Sequence, residues 1–357
     1  MTAADPPAGS REPGFRGSRY AGLARGAGTL ACLVIAAGLF AAVAGTAITD
    51  PPAVPGVPQP GPAVRYGIPV ARVLLDLGAV AVAGLAILAK LLGFDRPEQT
   101  EPVMEPARRM AVWASAVWAA AALVSIVLLA AELDPGAPVT AGGVWTYIGS
   151  IAAGKGLLVS AGCALLSVWL CWLAVRHGER VPAELRAGLA LFGLLPLPLT
   201  GHASNWYYHD LSMVSMELHV VGAAAWAGGL AAVTVLLARH RDLLALALPR
   251  FSRLATWCVV VVGVSGLANG LLELALSPIS TLPGSLLTTR YGVLVLAKIA
   301  CLAVVAVIAV QVRGRILPAV AAGRRSTFAV WCGWEVAVLA VAYGVAVVLT
   351  RAAVTPF

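Results

Sequence analysis

The chain has 357 residues, 60% of them hydrophobic and only 12% charged, with a mean hydropathy of +0.87. A soluble surface needs roughly 25 to 35% charged residues, so this composition excludes a water-facing globule and leaves a polytopic membrane protein. The formal charge of +8 does not point to nucleic acid, because the basic residues gather in short segments between apolar runs, and no nucleic-acid partner is expected.

Residues 1–26 read as a cytoplasmic basic tail carrying Arg11, Arg16, Arg19 and Arg25. Apolar runs of about 20 residues follow, each long enough to cross a hydrocarbon core of about 30 Å as a helix. They predict an all-alpha membrane bundle of about nine transmembrane helices, at 27–47, 70–92, 110–131, 150–175, 186–202, 212–237, 254–275, 291–311 and 327–350. In the first run Ala42-Val43-Ala44 imitates a signal-peptide cleavage site. The arginine-bearing lead and the length of the run favour a retained anchor.

Between the first two spans, Ile48 to Ile68 hold six prolines and form a stiff extracellular connector. Leu92 to Met110, with alternating acids and bases, reads as a solvated link. Basic residues cluster at the tail, at 90–109, at 176–186, at 239–253 and at 313–325. Only Arg65, Arg72, Arg290 and Arg351 fall on or near the other side, and Lys155 and Lys298 lie within spans. This bias places the N-terminus inside, the C-terminus outside and the chain in the cell (inner) membrane as a multi-pass protein. The six cysteines all sit in apolar runs and form no CxxC, so they read as packing residues.

A charge in the hydrocarbon region is costly and therefore a functional candidate unless it is structurally paired. On this topology Arg72 and Asp76 of the second span, Lys155 of the fourth, Glu217 and His219 of the sixth and Lys298 of the eighth fall in the outer half, with Glu335 near the middle of the ninth. Polarity concentrated on the outer side points to a solute arriving from outside. In the fifth span Pro196 and Pro198 remove two backbone donors, so 193–202 cannot be a regular helix throughout, and the break delivers His202 to the outer mouth. The alternative is an ordinary proline kink.

Three of the five histidines, His202, His209 and His219, fall between 202 and 219. With a helix starting near Asp210, Met213, Met216 and His219 follow one another at i+3 and share a side, with His209 just beyond its outer end. Imidazole together with thioether selects copper, Cu(I) especially. These five residues are the candidate metal ligands, although two methionines in an apolar helix are also ordinary packing. Glu217 points about 160° around the helix from His219 and is expected to pair with Lys155 or Lys298. Glu335 is expected to be buried and paired with a group of another helix. Glycines at 228–229 and at 263 and 266 allow close helix contact.

The second half then resembles the copper resistance protein D family. The resemblance rests on Thr200-Gly201-His202-Ala203, on His219 followed by Ala224-Ala225-Trp226-Ala227-Gly228-Gly229-Leu230, and on Arg250-Phe251-Ser252-Arg253-Leu254-Ala255. It continues through Gly263 and Gly266, Tyr291-Gly292, Lys298 and Glu335. It covers about 185–350, a copper resistance D-like membrane domain, and 27–180 are similar to the N-terminal four-helix membrane region of that family. The resemblance implies copper transport, import or other copper handling, with copper ions, Cu(I) or Cu(II), as the metal. A periplasmic or extracellular copper-binding protein joins the lipid bilayer as an expected partner. The competing readings are a haem-binding or electron-transfer membrane protein, in which His202 and His219 ligate a haem, and a factor delivering copper to a cuproprotein. No nucleophile and base stand at workable spacing on one face, so an enzyme is not expected.

Overall fold

A computed structural model describes residues 14–50, 55–56, 58–200, 209–276, 283–321 and 327–352. Among the described residues the protein is all-helical with no strand. The helices are α1 (Gly14–Thr49), α2 (Pro62–Leu92), α3 (Pro97–Leu133), α4 (Ala141–Ser150), α5 (Ala152–His177), α6 (Ala183–Phe192), α7 (His209–Leu237), α8 (Arg241–Leu276), α9 (Ser285–Thr288), α10 (Arg290–Gln311), α11 (Leu317–Ala321) and α12 (Phe328–Leu349). Short 3-10 segments follow α5 and α6, at Gly178–Arg180 and Leu197–Thr200, and a π-helical stretch, Val312–Ile316, joins α10 to α11.

Eight helices among the described residues are long and apolar enough to cross a membrane, which makes the chain a multi-pass helical bundle. They match eight of the nine expected spans. The exception is 186–202. There α6 stops at Phe192 and only a 3-10 turn follows, because Pro196 and Pro198 break the backbone ladder. This segment still enters the bundle, since the position of Gly193 is so close to Trp118 and Cys163 that a Cβ there would meet them at 2.5 and 2.8 Å.

Charged pairs collect at two ends of the bundle. One end holds the Lys90–Glu184 pair and a cluster in which Arg108 and Arg186 meet Glu179 at 3.0 and 2.8 Å, with Glu101 also on Arg108. These residues come from the basic segments that the sequence assigns to the cytoplasm. At the other end Arg65 meets Asp50 at 2.7 Å, Arg290 donates to the Asp50 carbonyl at 2.7 Å, and Arg351 pairs with Glu132 at 2.5 Å. The stretch from Leu92 to Met110, expected as a solvated link, is helical from Pro97 and buries Arg108 to 3% exposure. Pro97 at the first turn starts that helix without losing a needed donor. The sequence reading also passed over α4, which Thr140 caps by accepting from the Gly143 amide at 3.1 Å.

Helix α2 forms the spine, with Leu75, Val82, Ala83 and Leu88 fully buried. It meets α7 backbone to backbone: a Cβ on Gly84 would fall 2.1 Å from the Gly228 carbonyl. The close approach expected of the 228–229 glycines thus joins the first part of the chain to the second. The two helices run parallel, because Arg250, in the first half of the α8 helix that follows α7, donates to the Leu91 carbonyl at the C-terminal end of α2. Helices α1 and α12 pack through a second small-residue contact, Gly38 and Ala42 against Gly344. Outward faces carry exposed Phe40, Trp113, Trp257 and Val264, the composition a lipid solvent favours.

Candidate functional site

The bundle forms a half-open cavity of about 210 Å³. Its wall takes Arg72, Asp76 and Val80 from α2, Leu194 and Pro198 from the broken segment, and Met216, His219 and Trp226 from α7. Helix α8 adds Gly266 and Asn269, α10 adds Tyr291 and Lys298, and α12 adds Leu339 and Tyr343. Most of the lining is aliphatic, and the polar groups stand out singly against it.

Register brings those polar groups to one level. Gly222 packs on Val262 and Gly266 on the His219 ring, so α7 and α8 run antiparallel with His219 opposite Gly266. Gly270 packs on Val295, which carries the level to Lys298, and Leu294 clusters with Val345 and Val348, which places Tyr343 beside it. Tyr343 in turn lies close enough to Asp76 to feel its charge.

His219 is held by its neighbours. A Cβ on Gly266 would stand 2.8 Å from the imidazole Cε1, so only glycine leaves room for the ring. Its Nδ1 is 3.1 Å from Ser265 Oγ, and the Ser265 hydroxyl donates to the Val261 carbonyl. With that proton committed, Ser265 Oγ accepts, Nδ1 carries the imidazole hydrogen and Nε2 keeps its lone pair. A second group that fixes tautomer and ring orientation in this way is the usual support of a metal-binding histidine.

On α2, Arg72 Nε donates to both oxygens of Asp76, at 3.0 and 3.2 Å, so this intramembrane carboxylate has its counter-charge one turn away. Lys298 makes no ion pair or hydrogen bond among the described residues, while it stands close enough to His219 to act on it electrostatically. Asn269 Nδ2 and Tyr343 Oη are buried without a partner among the described residues.

Of the expected site residues, the cavity therefore unites Asp76, Met216, His219 and Lys298. The i+3 spacing of Met216 and His219 does put them on one wall. Met213 is half-buried on α7 and is not part of that wall. His202 lies outside the described residues, and His209 opens α7 with a side chain that also lies outside them. Among the described residues no three His, Cys, Asp or Glu side chains gather as a metal-binding group, so the soft donors this part of the cavity offers copper are the His219 imidazole, the Met216 thioether and the Cys301 thiol.

The expected partnership of Glu217 needs correction. Glu217 is half-buried off the wall, Lys155 is exposed near the start of α5, and neither lysine forms an ion pair with Glu217. The cause is angular: Lys298 faces the cavity with His219, and Glu217 sits on a different side of α7. Glu335 is buried at 4% exposure, one turn before Leu339 of the wall, and has no hydrogen bond or ion pair among the described residues. Ser265, Asn269 and Tyr343 were not anticipated as site residues, and Tyr291 entered only as a landmark of the family resemblance. Only the small-residue run Gly263-Val264-Ser265-Gly266 marked this part of α8, and it marked it for packing.

Comparison with known proteins adds two matches. Residues 63–210 match the family model "Copper resistance protein D-like, N-terminal domain", and residues 245–349 match "Copper resistance protein D". The stretch between them, which includes His219, falls in neither match. No curated protein and no solved structure matches the chain.

Proposed function

Because the chain belongs to the copper resistance protein D family, we propose that this membrane protein takes copper at its outer face and passes it across the bilayer through the central cavity. In this reading copper is the cargo. His219 supplies an imidazole nitrogen and Met216 a thioether, and His202 and His209 join from the residues that lead into α7. Met213 completes the set when the ion is Cu(I). The sequence holds no nucleotide-binding motif, so the driving force is an ion gradient or the membrane potential, worth about 2.3 kcal/mol per charge per 100 mV.

The observation that carries this reading is the His219–Ser265 pair, which leaves Nε2 of a cavity-lining imidazole as a lone-pair donor. Neutral imidazole binds metal and imidazolium does not, so uptake should weaken as the ring protonates. The test is uptake of Cu(I) and of Cu(II), supplied separately, into sealed proteoliposomes. Wild type should accumulate one of the two ions above protein-free vesicles, and His219→Ala should not. Equal uptake by wild type and by the His202→Ala/His219→Ala double variant places the copper route elsewhere. No uptake of either ion by wild type ends the transport reading.

A further inference from the structure

Besides the lone pair of His219 Nε2, three groups on the cavity wall can donate a hydrogen bond and have no partner among the described residues. They are Lys298 Nζ, Asn269 Nδ2 and Tyr343 Oη, and the one carboxylate on the wall, Asp76, is already engaged by Arg72. Arg72 and Asp76 cancel, so the ammonium of Lys298 is the uncompensated charge among the described wall residues. Donors and a cation in an apolar chamber are costly until an acceptor meets them, and a bare metal cation brings no acceptor.

We propose that the cavity is an anion site. It holds a small monoanion against Lys298, with Asn269 and Tyr343 as further donors, at the level of His219. One cation matches one negative charge, which disfavours a doubly charged phosphate. The aliphatic lining, with Val80, Leu194, Val262, Val295 and Leu339, favours weakly hydrated anions such as heavier halides or thiocyanate, which lose least on leaving water.

A second step rests on the copper reading. A copper ion on His219 stands beside Lys298, and like charges at that range repel. An anion between them gives the metal a further ligand and the ammonium its counter-charge. The substrate is then copper carrying an anionic ligand, and the bare ion is excluded.

The first arm of the test needs no copper. Purified metal-free protein is titrated calorimetrically with thiocyanate in gluconate buffer of constant ionic strength. Wild type should bind saturably, and Lys298→Met should weaken binding at least about tenfold, the usual weight of a charge-assisted hydrogen bond. Lys298→Arg should retain it within a few fold. Tyr343→Phe, which removes a single hydroxyl, should weaken it several fold and carries the test if Lys298→Met does not assemble. Absence of saturable binding in wild type, or unchanged affinity in both Lys298→Met and Tyr343→Phe, overturns the anion site. The second arm measures Cu(I) affinity against a competing chelator in chloride and in gluconate. Chloride should raise the affinity of wild type and leave Lys298→Met unaffected. Equal affinity of wild type in both salts overturns the pairing of anion with metal. Absence of Cu(I) binding in either salt sinks the copper reading while the thiocyanate result stands on its own.

Discussion

Glu179 is the residue on which the charged end of the bundle depends, and replacing it with alanine should be among the most damaging changes outside the cavity. Its carboxylate serves two guanidiniums, Arg108 at 3.0 Å and Arg186 at 2.8 Å, whose side chains are 3% and 2% exposed. Arg186 forms no second ion pair among the described residues; Glu184 is near enough only to feel its charge. Arg108 keeps Glu101, which is itself 55% exposed. Breaking a buried pair from one side costs about 3–5 kcal/mol, because the surviving charge stays desolvated without compensation. Glu179→Ala should therefore lose about that much, mostly through Arg186. Glu101→Ala, which removes an exposed partner, should lose about 1 kcal/mol or less, and Glu184→Ala, whose carboxyl is exposed, should lose far less than Glu179→Ala. Adding Arg186→Leu to Glu179→Ala should restore part of the loss by removing the orphaned charge. Reversible unfolding of the purified protein in mixed micelles measures all four variants. A loss below about 1 kcal/mol for Glu179→Ala would refute the reasoning, as would further destabilisation in the double variant.

The α2–α7 contact predicts that Gly84→Ala, whose Cβ has backbone 2.1 Å away, costs at least about 1–3 kcal/mol by forcing the helices apart. Gly162→Ala, with open space around its Cβ, should instead stabilise α5 by up to about 1 kcal/mol; the same unfolding assay separates them, and equal effects would deny the close approach. Ser265→Ala should cut copper affinity about 10–100-fold with assembly intact, since it frees the His219 tautomer; unchanged affinity would show that Ser265 does not orient the ring. The hydrogen bond from Lys90 holds the Glu184 carboxyl below its ordinary 4.5. A carboxylate depressed in the folded state stabilises above its unfolded pKa, and that stability is lost as pH falls through the folded value. The Tm gap between wild type and Glu184→Gln should thus be constant well above pH 4.5 and shrink as pH falls below it; a gap that does not shrink below pH 4.5 contradicts the assignment.

Sequence reading found those features whose cause is local. Apolar run length marks a spanning helix wherever the run is unbroken, the prolines at 196 and 198 stop a helix wherever they stand, and i+3 spacing puts Met216 and His219 on one side of α7. It failed where the cause lies on another helix. Arg108 looks like one more solvated base beside Arg109, and nothing near it in the chain reveals that Glu179 folds over it. Ser265, Asn269 and Tyr343 are unremarkable in their own helices and acquire a role only when α8 and α12 are set at the level of His219. Glu217 failed for the complementary reason: sequence showed two lysines in spans, and could not show that one is exposed and the other turned to the cavity.

The cavity also bears on how the chain divides. The C-terminal family match supplies Gly266, Asn269, Lys298 and Tyr343, the N-terminal match supplies Arg72, Asp76 and Pro198, and His219 comes from the stretch between. Neither matched region contains the wall by itself. The backbone contact of Gly84 with Gly228 holds the Asp76 side of the wall against the His219 side, and any separation of α2 from α7 would draw the two sides apart. The need for a small residue at both positions then comes from the site as much as from the fold. A variant that loosens this contact without unfolding the bundle should lose anion and copper binding together, because both depend on the two sides of the same wall staying in register.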